Sequence, residues 1–172
     1  ETQIGVVRGS RELYFYLDAS IFPNQAASSL VLNTWTHVCV TRNSSNSMSL
    51  FSNGSRLANL TNSSTVDFSN VTIAGYHANN NYDADCLMTD LRFSATNEYN
   101  PDSSSLTVPT SKLSDTTNTK LLLLNAPSFF DKSGDNHAVT LQGAPTVNDV
   151  GPYDYATYSA TDNGGSLYVN NG

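Results

Sequence analysis

Apolar and polar positions along this chain alternate with a period of two, the spacing at which a strand sends successive side chains to opposite faces. Residues 12–18, ELYFYLD, set Leu13, Phe15 and Leu17 on one face and Tyr14 and Tyr16 on the other. Residues 4–7 predict a shorter strand before it, and Leu30, Val31 and Leu32 lead into the densest β signal, residues 34–57. There, residues 35–42 are rich in β-branched and aromatic side chains and contain no Gly or Pro, as a strand prefers. Trp35, His37, Cys39 and Thr41 share one face; Thr36, Val38, Val40 and Arg42 share the other. Both faces carry apolar groups, so this strand is expected to be covered on both sides, with Trp35, the single Trp, in the core. Residues 43–47 are a polar loop and 48–52 a second strand. Asn53-Gly54 then supplies two residues that tolerate φ > 0 in a tight hairpin turn, before Arg56 and Leu57 begin the return strand.

Beyond it, residues 58–72 read as polar and turn-rich, ending in a short strand at Val71, Thr72 and Ile73. Residues 77–85, HANNNYDAD, are a long loop; 86–94 form a strand, and 97–105 a second loop. Residues 106–124 leave room for one short helical turn near 109–113. No segment keeps a helical period for more than a turn or two, so the chain is expected to be all-β.

Composition narrows the function. At 172 residues the chain is one ordinary domain or a little more. Charged residues are only 13%, so solubility rests on Asn, Ser and Thr. The net charge of −7, with eight scattered Lys and Arg, argues against nucleic acid, whose phosphates need clustered cations. No apolar run approaches the roughly 20 residues of a membrane helix, which argues against membrane insertion. The chain begins at Glu1 without Met or a signal peptide, so its true N-terminus is expected to be missing or processed. Cys39 and Cys86 both fall in predicted strands and are read either as buried thiols or as a disulfide, should those strands be neighbours. The five N-x-S/T sequons, at Asn43, Asn53, Asn59, Asn62 and Asn70, are about as many as this composition yields by chance.

Several of these stretches carry a family resemblance. Residues 35–42, WTHVCVTR, followed by a short apolar strand and Asn53-Gly54, resemble the central signature of laminin G-like, concanavalin A-like jelly-roll domains. Ile73-Ala74-Gly75 and then residues 86–93, CLMTDLRF, are similar to the family's G-x-I-D-D-L-R-I strand, with Cys86 where Gly is usual. Tyr99, Pro109-Thr110 and Leu113 fit its closing segment. Residues 119–124 with 130–139, and residues 164–172, GGSLYVNNG, resemble the opening of such a domain. The resemblance implies an all-β, two-sheet antiparallel jelly-roll sandwich. It also implies that residues 1–119 are the second half of one repeat and 120–172 the opening strands of the next, the segment that joins them being absent. The 120–172 strands are expected to complete a sandwich, by folding back or by entering a neighbouring copy.

The jelly-roll family also includes glycoside hydrolases, which set two Glu on one strand in patterns of the E-x-D-x-x-E kind. This chain has Glu only at 1, 12 and 98, and Asp90 reads as a structural partner of Arg92 or of the backbone. His37, His77 and His137 lack zinc spacing. Calcium, which takes hard oxygen ligands on loops, has two candidate clusters: Asp83 with Asp85, and Asp131 with Ser133, Asp135 and Asn136. A D-x-S-G turn is the competing reading of the second. The glycan candidate is the loop with Tyr76, Asn79, Asn80, Asn81, Tyr82, Asp83 and Asp85, which offers amides, carboxylates and aromatic platforms. The expected function is a non-enzymatic structural or adhesion module of an extracellular fibre or virion surface, similar to laminin G-like repeats of tailed-phage fibres. Its partners are further copies, other structural subunits or surface glycans. A secreted or cell-surface lectin is the alternative, and a glycosidase a distant third.

Overall fold

The computed structural model describes residues 2–6, 11–17, 20–22, 30–66, 71–75, 84–148, 150–153 and 166–169. Eleven strands occur there and no helix, the short helical turn expected near 109–113 included. The chain divides into two compact units, one of Glu1–Asn70 with Thr96–Val108, the other of Val71–Ala95 with Pro109–Gly172.

The first unit holds two antiparallel sheets. In one, β1 (Thr2–Val6), β2 (Leu13–Leu17) and β3 (Ser20–Phe22) lie side by side. In the other, β4 (Val38–Arg42), β5 (Ser47–Ser52) and β6 (Ser55–Thr61) form a meander. The period-two pattern decides which side chains meet. Leu13, Phe15 and Leu17 are buried while Tyr14 and Tyr16 are only partly so. These three join Met48 and Leu50 in one cluster, with Val38, Val40, Ala58 and Leu60 packed on it. Cross-strand register explains the grouping, since Val40 lies opposite Leu50 and Leu50 opposite Ala58. The β5–β6 turn is Asn53-Gly54, at φ 46° and 81°, the double positive φ that a two-residue hairpin needs.

The other face of the β4–β5–β6 sheet is covered too, by a loop. Thr41, Ser49 and Asn59 line up across the three strands there. Thr41 Oγ1 donates to the Tyr99 carbonyl at 2.8 Å. Ser49 Oγ and Asn59 Nδ2 donate to the Pro101 carbonyl at 2.6 and 3.2 Å, and Arg56 Nη1 reaches the Asp102 carbonyl at 2.9 Å. A polar face thus sits under chain 99–102 with its donors satisfied, as burial requires.

Three local expectations are corrected. Trp35 is only half-buried and precedes β4, which begins at Val38. The hydrogen bond from Asn53 N to His37 O at 2.9 Å and that from His37 N to Asn53 Oδ1 at 2.9 Å close the ladder at His37, so Trp35 falls beyond the paired region. Residues 58–61, expected to be turn-rich, continue β6, because Ala58 and Leu60 face the core. Val71, Thr72 and Ile73 form no strand, and Val71 is exposed.

The second unit contains a three-stranded sheet and a two-stranded one. β10 (Thr146–Asn148), β11 (Ser166–Val169) and β7 (Cys86–Met88) make the first; β8 (Leu91–Ser94) and β9 (Thr119–Leu123) make the second. The single strand expected over 86–94 is therefore two, broken at Thr89-Asp90, where Asp90 adopts φ 53°. The break lets one alternating run serve two sheets: Leu87 lies opposite Tyr168, and Arg92 opposite Leu122. Both pairings join residues before 119 to strands of the 119–172 stretch. Among the described residues of this unit, Leu122, Leu123, Leu124 and Ala126 are the buried apolar groups.

Candidate functional site

The glycan candidates Tyr76, Asn79, Asn80, Asn81, Tyr82 and Asp83 lie outside the described residues, as does His77. Of that loop the structure places Asp85, exposed, directly before β7. Burial, and next the charge of Asp85, push the Cys86 thiol pKa up, which disfavours the thiolate and hence reactivity. Neither Cys86 nor Cys39 is in a disulfide.

Asp131 occupies a different setting. Its side chain is fully buried, and both its oxygens accept hydrogen bonds. Oδ1 takes the Leu122 and Ser133 amides, each at 2.9 Å. Oδ2 takes the Ser133 hydroxyl at 2.9 Å and the His137 amide at 2.9 Å, with His137 Nδ1 at 2.8 Å. Burial alone would raise this carboxyl's pKa; the hydrogen bonds from Leu122, Ser133 and His137 overcome it and hold the group well below the usual carboxylate range. The D-x-S-G turn forms, but as part of a knot tying residues 131–137 to β9. Asp135 is not brought to it: its carboxylate pairs with Lys120 Nζ at 3.1 Å on the surface. Among the described residues no three His, Cys, Asp or Glu side chains converge as a metal site.

Asp90 and its surroundings are the third candidate. Its Oδ1 accepts the Leu113 amide at 3.2 Å, while Oδ2 is buried without a hydrogen-bond partner. Burial raises its pKa; hydrogen bonds from Tyr153 and Leu113 and the charges of Lys112 and Arg92 oppose the rise. His37 Nδ1 is likewise buried and unpartnered, and burial lowers that histidine's pKa, favouring the neutral ring.

Two groups escaped the sequence reading. The buried polar row of Thr41, Ser49 and Asn59 is one. Its signal was present in the alternation of residues 47–50, SMSL, whose serine face reads as solvated until chain 99–102 is laid on it. Asn125 is the other: its Nδ2 donates to the Leu113 carbonyl at 3.2 Å and its Oδ1 is buried without a partner. Of the sequon asparagines, Asn43, Asn53, Asn59 and Asn62 all use their side-chain amides in local hydrogen bonds.

No helix among the described residues is long and apolar enough to cross a membrane. A family model described as the concanavalin A-like lectin/glucanases superfamily, of laminin G type, matches residues 1–97. No curated protein and no solved structure gives a match. The matched region holds both sheets of the first unit and the Thr89-Asp90 break, and the all-β antiparallel architecture is that of the two-sheet jelly-roll sandwich. Domains of this family are carbohydrate-binding or adhesion-type modules, generally without enzymatic activity and commonly extracellular. With more than half its length matched, the chain belongs to the concanavalin A-like lectin/glucanases superfamily as a laminin G-like domain.

Proposed function

We propose that this chain is a non-enzymatic structural and adhesion module of a virion appendage or extracellular fibre, binding surface glycans or partner subunits. Family membership carries the reading. What favours it over a glycosidase is the use made of the carboxylates, since hydrolysis needs a facing pair free to act as acid and nucleophile. Asp131 is committed to backbone amides, Asp135 to Lys120 and Asp90 to Leu113. The carboxylate of Asp102 accepts from Asn43 Nδ2 and Ser47 Oγ. These groups hold chain segments together. In the same reading the ligand loop is residues 76–85, and its Asp83 and Asp85 are the carboxylates available to calcium. Further copies of the chain, or other structural subunits, are the protein partners.

A glycan array combined with a reducing-sugar release assay tests this. Binding that weakens in Tyr82→Ala or Asp85→Asn, without sugar release, is expected. Verified turnover would overturn the class. Binding unchanged in both variants would overturn the ligand loop and leave the class standing.

A further inference from the structure

Two buried oxygens of the second unit, Asp90 Oδ2 and Asn125 Oδ1, have no hydrogen-bond partner. Both belong to side chains that grip the same residue. Leu113 donates its amide to Asp90 Oδ1 at 3.2 Å and accepts from Asn125 Nδ2 at 3.2 Å. The main chain closes the same circuit: the Leu124 carbonyl accepts from Asp90 N at 3.2 Å and from Thr89 Oγ1 at 2.9 Å. The strand break at Thr89-Asp90, the end of β9 and residue 113 are thus laced together, with one acceptor left over on each of two side chains.

An unpaired buried acceptor is destabilising, because it gives up its hydrogen bond to water and gains none in return. An ionised carboxylate and an amide oxygen can do nothing for each other, because both only accept. A single hydrogen on Asp90 Oδ2 changes that, turning one of the two acceptors into a donor. A metal ion fits less well. The charges of Arg92 and Lys112 already bear on the carboxyl, and two free oxygens fall far short of the six to eight that calcium takes.

We propose that Asp90 and Asn125 form an acid clamp, in which a proton taken up on Asp90 Oδ2 is donated to Asn125 Oδ1 and fastens the strand break to the end of β9. The groups that face this carboxyl are Arg92 on β8 and, from outside it, Lys112, Leu113 and Tyr153. Burial favours the protonated form, and all four of those groups favour the ionised one. A carboxyl whose folded pKa is raised contributes stability that is complete below its unfolded value, about 3.9, and lost as pH rises through the folded value. The clamp therefore fastens as pH falls through the folded value and slackens as pH rises above it.

The test is a titration of the full chain carrying 13C-labelled aspartate carboxyls, read by NMR, in the parent and in Asn125→Ala. Asp90 is expected to titrate above the ordinary carboxylate range in the parent and to fall back towards it when its acceptor is removed. Asp90→Asn, which sets an N–H donor where the proton would sit, is expected to raise the melting temperature at pH 7 and to flatten its change between about pH 4 and pH 7. An Asp90 titration that Asn125→Ala leaves in place overturns the clamp. So does a lower melting temperature for Asp90→Asn at pH 7.

Discussion

Asp131 offers the sharpest test of how the second unit is held. Its fully buried carboxylate accepts three backbone amides, a hydroxyl and a close imidazole nitrogen. Asp131→Ala would strip all of these. The Leu122 amide matters most, since Leu122 is itself 1% exposed and water cannot replace the lost acceptor. Hydrogen bonds to a charged group are worth about 1.5–3 kcal/mol each, and orphaned buried donors about 1–3. The contributions are not additive, so a total loss of about 3–5 kcal/mol is expected, in the range of breaking a buried charge network. Asp131→Asn should cost less: it keeps one oxygen for Leu122 and Ser133 but presents N–H groups to the His137 amide. Hydrogen exchange at the Leu122 amide, alongside urea unfolding, reads the effect locally and globally. The sign with pH follows from the depressed pKa. The contribution is complete above the unfolded value of about 3.9 and drains only as pH falls towards the much lower folded value. Leu122 exchange and a urea midpoint both unchanged in Asp131→Ala would refute the reasoning.

Other perturbations probe the first unit. Gly54→Ala should destabilise it by about 1–3 kcal/mol from backbone strain alone, because φ is 81° there. A clash adds to this, since the new Cβ would stand 2.8 Å from the Leu106 carbonyl oxygen; a thermal midpoint equal to the parent's would contradict it. Leu50→Ala empties a fully buried position at the centre of the sandwich and should cost about 2–5 kcal/mol in urea unfolding. Ser49→Ala removes a buried donor to Pro101 O and should cost about 0.5–1.5 kcal/mol, with faster proteolysis of the 99–102 loop as a second readout.

The alternation was enough to find the sandwich core. Leu13, Phe15 and Leu17 share a face in the sequence and a cluster in the fold, and Asn53-Gly54 announced its turn. Both succeeded because the deciding physics is local: a two-residue period, and two residues able to take φ > 0. Trp35 failed for the opposite reason. Its size predicts burial, but the ladder ends at His37, where Asn53 bonds back to the chain from sixteen residues away. The candidate ligand residues behaved similarly. Asp131, Ser133 and Asp135 are close in sequence and look like an oxygen cluster, yet Asp131 turns inward to β9 while Asp135 turns outward to Lys120.

The break at Thr89-Asp90 shows where period-two reasoning stops. Residues 86–94 carry one continuous alternation, and nothing within them calls for an interruption. The interruption comes from partners. β7 is claimed by β11 and β8 by β9, and a strand serving two sheets must turn where it changes allegiance. Asp90 makes the turn feasible, because Asp tolerates a positive φ better than most residues and its carboxyl accepts the Leu113 amide across the bend. The Asp that the family motif places in this strand is thus needed for a corner, and the corner is what leaves its second oxygen buried. The acid clamp proposed here would arise from a topological demand, at a residue whose sequence context suggested a structural pairing with Arg92 or the backbone, and whose backbone partner is the Leu113 amide.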